Sequence, residues 1–98
     1  MARLIWRRRA RADIDRLTEF LWEKDEEAAV RALKVILDGA ELLASAPRLG
    51  RPMGDKTERR ALSLPFGTGA YALHYMLQDE NTVVVLRVWH SRESKGGE

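Results

Sequence analysis

The chain has 98 residues, of which 45% are hydrophobic and 33% are charged, with a formal net charge of +2 and no cysteine. This length suits a single domain spanning residues 1–98 with a modest core. The lack of cysteine excludes disulfides and thiolate metal sites, and no segment approaches the roughly 20 apolar residues of a membrane span. We therefore expect a cytoplasmic protein that holds no metal and no cofactor.

A short strand and an amphipathic helix open the chain. Leu4-Ile5-Trp6 is an apolar segment between arginines and predicts a strand of about four residues. From about residue 10 to residue 24, the spacing changes to that of a helix. The apolar stripe of this helix comprises Ala10, Ile14, Leu17 and Leu21, widened by Phe20. The residues assigned to the opposite, polar side are Asp13, Asp15, Arg16, Glu19 and Glu23.

A second helix follows almost at once. Asp25 is the predicted N-cap, and Glu26 and Glu27 place negative charge in the first turn, as the helix dipole favours. The helix is expected to run to about Ala46, where Pro47 stops it. Its predicted stripe is Ala29, Leu33, Ile36, Leu37, Ala40, Leu43 and Ala44. Two amphipathic helices with so short a connection form an antiparallel hairpin, here over about residues 8–46.

The second half of the chain predicts strands. Pro-Arg-Leu-Gly-Arg-Pro-Met-Gly-Asp, residues 47–55, is expected to be a surface loop. Three strands follow, at about residues 59–64, 70–78 and 82–90, within a sheet half of about 58–90, and a hydrophilic tail occupies 91–98. The order strand, helix, helix and three strands predicts an α+β fold. In it, the helical hairpin packs on one face of a mostly antiparallel four-stranded sheet.

The closing strand, Thr-Val-Val-Val-Leu-Arg-Val-Trp-His, combines an apolar run with polar residues. Strict alternation puts Val83, Val85, Arg87 and Trp89 on one face, and Val84, Leu86, Val88 and His90 on the other. Arg87 and His90 are therefore expected on opposite faces. This placement argues against a ready-made catalytic pair at the end of the strand.

RNA cleavage through the 2′-hydroxyl group requires a base, an acid and cations for the phosphorane charge. The groups available for these roles are His74, His90, Glu58, Arg59, Arg60, Arg87 and Arg92. Should the protein be a nuclease, the set to test is Arg59, Arg60, Arg87 and His90. A basic run at the first helix, Arg7-Arg8-Arg9 with Arg11, can track phosphates, but a solvated and partly paired helix start is the favoured interpretation.

Several landmarks, taken in order, resemble one protein family. They are the segments RARADIDRLTEFL, EEAAVRAL, PRLGRP, ERRALSL and YALHYML, and the ending VVVLRVWHSR. Together they resemble the ParE branch of the RelE/ParE toxins of bacterial type II toxin–antitoxin modules. The resemblance implies a toxin that inhibits DNA gyrase by protein–protein binding, arrests growth and is neutralised by a cognate antitoxin. The alternative is a RelE-like, ribosome-dependent mRNA endonuclease, which the lack of tyrosine and lysine in the last strand disfavours.

The resemblance also suggests which residues meet other proteins. Residues that leave the sheet, or flank it, are the candidates for target binding and toxicity: Trp89, His90, Arg92 and Arg60. The candidates for antitoxin binding are Leu17, Phe20, Leu21, Trp22 and Arg87. We expect no membrane partner and no sequence-specific nucleic-acid binding by the toxin alone.

Overall fold

The computed structural model describes residues 1–54 and 56–93. Residues 94–98 of the predicted tail, and Asp55 of the predicted loop, lie outside the described residues. The elements are β1 (Arg3–Trp6), α1 (Arg8–Trp22), α2 (Glu26–Ser45), β2 (Arg51–Pro52), β3 (Arg59–Phe66), β4 (Gly69–Asp79) and β5 (Thr82–His90).

The strands form one sheet in the order β1-β5-β4-β3-β2. β1 pairs with β5 in parallel, and the other neighbours are antiparallel. The α+β class is thus confirmed, with both helices packed on the sheet. The prediction of four strands missed a fifth, because the two-residue β2 lies within the segment expected to be a surface loop.

The segment after α2 is held by a buried tyrosine of β4. The Tyr75 hydroxyl donates to the Pro47 carbonyl at 2.7 Å and accepts from the Gly50 N–H at 2.8 Å. A Cβ at Gly50 would come within 2.7 Å of the Tyr75 ring, so only glycine allows this approach. Arg60 adds a hydrogen bond from Nη1 to the Gly50 carbonyl at 2.7 Å. This segment is therefore part of the packed structure.

The N-cap of α2 agrees with the sequence. Asp25 is confirmed as the N-cap of α2, since its side chain accepts from the Ala28 N–H at 3.2 Å. Within the described residues, neither helix has the length and apolar character needed to cross a bilayer.

The core between helices and sheet is formed by Ala10, Leu17, Ala32, Ile36, Ala40, Leu43, Tyr71, Leu73, Tyr75, Val83, Val85 and Val88.

The predicted apolar stripes were too wide. Phe20 is 62% exposed, and Leu33 and Leu37 are 36% and 41% exposed, although the spacing places all three in the apolar stripes of the helices. A helix lying on a sheet buries only the arc that faces the sheet, and residues at the rim of that arc stay in solvent. The hairpin therefore presents apolar side chains outward.

A β-bulge in β5 corrects the predicted alternation. The register between β4 and β5 shifts from His74↔Arg87 to Tyr75↔Val85, so Leu86 is the extra residue. Beyond the bulge, Val88 returns to the core face with Val85, and Arg87 leaves it. Strict alternation predicts Arg87 and Trp89 on the same face as Val83 and Val85. This prediction is wrong, because the bulge places the two pairs on opposite faces. Arg87 and His90 do remain on opposite faces.

Leu43→Ala tests the core directly. The Leu43 side chain is fully buried, so its truncation leaves a cavity and should lower the free energy of unfolding by about 2–5 kcal/mol. Its neighbour Leu42 is 50% exposed, and Leu42→Ala should stay within about 0.5 kcal/mol of the wild type. Urea unfolding of both variants measures this difference, and equal losses would contradict the described packing.

Candidate functional site

A buried carboxylate joins α1 to β5. Asp13 is only 2% exposed, and its two oxygens accept from Arg87, with Nε to Oδ2 at 2.7 Å and Nη2 to Oδ1 at 3.0 Å. The Val88 backbone N–H also donates to Oδ2, at 2.9 Å. β1 pairs only with residues 82–85 of β5, and Asp13 lies at the edge that β1 leaves open beyond them. The Asp13 carboxylate of α1 thus accepts the hydrogen bond from the Val88 N–H, which a backbone carbonyl of a neighbouring strand would otherwise accept.

The same carboxylate reaches the C-terminal turn through Arg16. Arg16 Nη1 donates to Asp13 Oδ1 at 2.6 Å, and its Nε and Nη2 donate to the two Glu93 oxygens at 3.0 and 3.1 Å. Glu93 Oε1 in turn accepts from the His90 backbone N–H at 2.9 Å. The chain after β5 is therefore fixed against α1 by a continuous network of charged groups, Arg87, Asp13, Arg16 and Glu93.

The network keeps Asp13 ionised. Burial is the largest single influence and opposes the charge, but the hydrogen bonds from Arg87, the Val88 N–H and Arg16 together outweigh it. The pKa of Asp13 is consequently lowered from its usual value of 3.8. The hydrogen bond to Asp13 likewise raises the pKa of Arg87. Asp13 therefore anchors α1 to β5. Because its carboxylate oxygens already accept these hydrogen bonds, it is a poor candidate for carrying a proton in a reaction.

An apolar groove lies beside this network, between the C-terminal half of α1 and the end of β5. We call it the α1–β5 groove; its volume is about 520 Å³, and it is lined by Arg16, Leu17, Phe20, Leu21, Phe66, Tyr71, His90, Arg92 and Glu93. The His90 ring packs edge-on against Tyr71, with centroids 4.9 Å apart. Arg92 donates from Nη2 to the Thr68 hydroxyl at 2.7 Å. The groove has an apolar floor with cationic and imidazole groups at its rim.

The opposite, helix-free face of the sheet carries a different set of groups. The His74 and Trp89 rings contact each other at a tilt of 49°, with centroids 4.1 Å apart, and the Arg87 guanidinium lies 5.5 Å from the Trp89 ring centroid. Burial, followed by the charges of Arg59 and Arg87, lowers the pKa of His74 below 6.5. The His74 imidazole is therefore neutral at pH 7.

The structure brings some of the predicted residues together and separates others. His90 and Arg92, predicted to bind a target, line the same groove as Leu17, Phe20 and Leu21, predicted to bind an antitoxin. Leu17 contributes mainly to the core, at 7% exposure. The residues outside the groove are Trp89 on the helix-free face, Arg60 bound to the carbonyls of residues 48 and 50, Trp22 beside Val30 and Arg31, and Arg87 bound to Asp13.

The network residues Asp13, Arg16 and Glu93 were not recognised from the sequence as a site. Asp13 was even assigned to the polar side of α1, which is wrong, because it is buried against β5. One signal was available: Asp13 lies three residues after Ala10 and four before Leu17, so it falls within the buried stripe. A charged residue at such a position predicts a buried partner. Glu93 had no comparable signal, since its partner Arg16 is 77 residues away.

A known structure shares this arrangement of a helical hairpin on a sheet. The solved structure "Chromosomal ParDE TA system from P. aeruginosa" contains a chain of this fold. The two superpose with a TM-score of 0.70 over 90% of this chain and 94% of that chain, at 22% identity. Residues 4–95 match the family described as "ParE toxin of type II toxin-antitoxin system, parDE". The chain belongs to this family and is a toxin of a type II toxin–antitoxin system, with an antitoxin as its partner.

Two curated relatives come from Caulobacter vibrioides. Toxin RelE1 is 38% identical over 87 residues, which cover 89% of this chain and 90% of the relative. Toxin RelE3 is 37% identical over 87 residues, covering 89% of this chain and 91% of the relative. The likeness therefore extends over nearly the full length of both relatives.

Asp13→Asn tests the anchor with almost no change in shape. The variant leaves Arg87 partly buried beside a neutral amide, which should lower the free energy of unfolding by about 3 kcal/mol, the low end for a broken buried pair. The exposed Asp15 on the same helix provides the control, and Asp15→Asn should stay within about 0.5 kcal/mol of the wild type. Urea unfolding at neutral pH compares the two; similar losses would contradict an anchoring role for Asp13.

The contribution of Asp13 should also depend on pH. Because its pKa is lower in the folded chain than in the unfolded chain, its stabilising effect is complete above the unfolded value and fades as the pH falls below 3.8. The difference in unfolding free energy between the wild type and Asp13→Asn should therefore narrow in that acidic range. Urea titrations at a series of pH values measure it, and a gap that widened on acidification would contradict this assignment.

Proposed function

We propose that this toxin acts in the cytoplasm by binding DNA gyrase through protein–protein contacts at the end of β5. Gyrase inhibition then arrests growth, and the cognate antitoxin prevents it by occupying the α1–β5 groove. The interacting residues are His90 and Arg92 at the groove rim, with Trp89 at the same strand end on the opposite face. No covalent step is required of the toxin.

The observation that carries this proposal is the separation of the groups that a nuclease would need. Arg59 and Arg87 pair with Met76 and His74 on the helix-free side, whereas Arg60 and His90 pair with the core residues Tyr75 and Tyr71. Residues directly opposite in a ladder share a face, so the predicted nuclease set lies on both sides of the sheet. Two of its members are also committed, Arg87 to Asp13 and Arg60 to backbone carbonyls. The four groups cannot converge on one phosphate.

The groove supports the mechanism of neutralisation. It combines an apolar floor from Leu17, Leu21 and Phe66 with the exposed ring of Phe20, and aromatic and apolar anchors of this kind dominate protein interfaces. His90 and Arg92 line the same groove. An antitoxin segment that buries Phe20 would therefore cover both residues, and a target could not reach them at the same time.

One observation favours the alternative of a ribosome-dependent mRNA endonuclease. His74 is held neutral beside Arg59 on the helix-free face, and a neutral imidazole near a cation can take a proton from a 2′-hydroxyl group. Any such nuclease would depend on His74 and not on His90. The two candidate functions thus require different residues on opposite faces of the sheet.

Arg92→Ala and His74→Gln separate the two functions. For a gyrase inhibitor, Arg92→Ala should weaken inhibition of supercoiling by about tenfold or more, equivalent to about 1.4 kcal/mol, while His74→Gln should leave inhibition nearly unchanged. A supercoiling assay with purified toxin measures both effects. Arg31→Ala, which removes an exposed arginine of α2 outside the groove, is the matched control.

Two results would contradict the proposal. Full supercoiling activity of gyrase in the presence of excess toxin would refute gyrase as the target. Transcripts cut on translating ribosomes, with cutting lost in His74→Gln, would establish the endonuclease instead.

Phe20→Ala tests the position of the antitoxin. Phe20 is the most exposed aromatic anchor of the groove, so its truncation should raise the dissociation constant of the toxin–antitoxin complex about fivefold or more. Leu49, which is 48% exposed in the segment after α2, provides a control, since Leu49→Ala removes similar apolar area outside the groove. Isothermal titration calorimetry measures both; equal effects of the two substitutions would place the antitoxin elsewhere.

A further inference from the structure

A second cleft, on the other side of the molecule, is almost entirely cationic. Arginines form five of its six lining residues, and its volume is about 520 Å³; the lining is Arg7, Arg8, Arg9, Arg59, Leu86 and Arg87. These residues come from the start of α1, the start of β3 and the bulge of β5. Three separate elements thus converge to form this surface, which we call the arginine cleft.

Most arginines of the cleft have no ion-pair partner among the residues that the structure describes. Arg87 is bound to Asp13, but Arg7, Arg8, Arg9 and Arg59 are exposed and form no side-chain hydrogen bond or ion pair with any described residue. The helix start is thus solvated, as expected, but the expected partial pairing is not found for these arginines among the described residues. Four like charges held together without compensation repel one another, and a bound anion would relieve that repulsion.

The start of α1 adds to the positive potential. Arg7 is the N-cap, with no side-chain cap, and the first turn contains no acidic residue. The positive end of the helix dipole therefore adds to the arginine charges, whereas helix starts ordinarily hold acidic groups. Backbone N–H groups of this first turn remain available to an anion.

The composition of the cleft favours a phosphate chain over a protein segment. A segment that folds on binding must bury apolar surface to offset the loss of conformational entropy. The large exposed apolar residues of the described chain lie outside the cleft; they are Met1, Phe20, Trp22, Val30, Leu33, Leu37, Leu42, Leu49 and Met53. The arginine cleft offers charge and bidentate donors, with the half-buried Leu86 as its single apolar lining residue, and this suits phosphodiesters, which present repeated charges with exposed oxygens.

We propose that the arginine cleft is a binding site for the phosphodiester backbone of a nucleic acid, contacted by Arg7, Arg8, Arg9 and Arg59 without reading its sequence. The site is independent of the α1–β5 groove, because the two surfaces share none of their lining residues. It does not depend on the identity of the toxin's protein target. A free groove and a free cleft allow one toxin molecule to contact a protein and a nucleic acid at once.

The test is a salt titration of binding by the purified full-length chain. Fluorescence anisotropy with a short labelled DNA duplex should show affinity falling with salt, with a slope of log K against log[salt] near about −3.6 for four phosphate contacts. Arg8→Gln combined with Arg59→Gln should reduce the magnitude of that slope by about 1.8. Arg31→Gln combined with Arg48→Gln removes the same charge from exposed positions outside the cleft and should retain the wild-type slope.

Circular dichroism establishes that both double variants are folded, and a single-stranded RNA of the same sequence serves as a second probe. Binding of RNA alone, lost in the cleft variant, would support the cleft while favouring the endonuclease alternative. Failure to bind either probe, or equal weakening by both double variants, would overturn the proposal. A cleft variant that weakened antitoxin binding and left nucleic-acid binding intact would also overturn it and would identify a protein surface.

Discussion

The buried Asp13 carboxylate is the constraint on which the functional half of the molecule depends. Its oxygens receive hydrogen bonds from two guanidinium groups and one backbone N–H, so the cost of burying the charge is offset within the chain. Breaking any one of these contacts leaves a buried ion without full compensation. Together with the core residues of α1, this side chain therefore fixes the position of α1 on β5 and, through Arg16 and Glu93, that of the turn after β5.

This constraint decides which cations are available for function. The side chains of Arg16 and Arg87 bind Asp13, and the side chain of Arg60 binds backbone carbonyls of the segment after α2. Four arginines without side-chain partners among the described residues lie together instead at the start of α1 and at Arg59. The Asp13 network lies between two surfaces, since Arg16 lines the α1–β5 groove and Arg87 lines the arginine cleft. Two chemically different surfaces suit two different kinds of partner.

The helices, four of the five strands and the Asp25 cap could be predicted because each rests on local spacing or local hydrogen bonding. The residues predicted to bind partners do not all lie on one surface. Phe20 and Leu21 do line the groove with His90 and Arg92, but Trp22, Arg60, Arg87 and Trp89 lie elsewhere. Periodicity predicts on which side of a helix or strand a residue lies, but it does not predict which residue of another element will contact it. Leu33 and Leu37 illustrate the same limit, since a stripe has no sharp edge until the sheet beneath it is known.

The sequence by itself determined the order of elements, the α+β class and the family, because these depend on patterns that run along the chain. Only the tertiary structure decided that Asp13 is buried, that Leu86 is bulged and that Arg87 is neutralised within the chain. The first and last of these features depend on contacts across 74 and 75 residues, from Asp13 to Arg87 and to the Val88 N–H, and the bulge depends on the pairing of β5 with β4. A bulge shifts every later side chain of its strand to the opposite face, and the sequence around Leu86 does not predict the bulge. The faces that carry function were therefore set by long-range pairing.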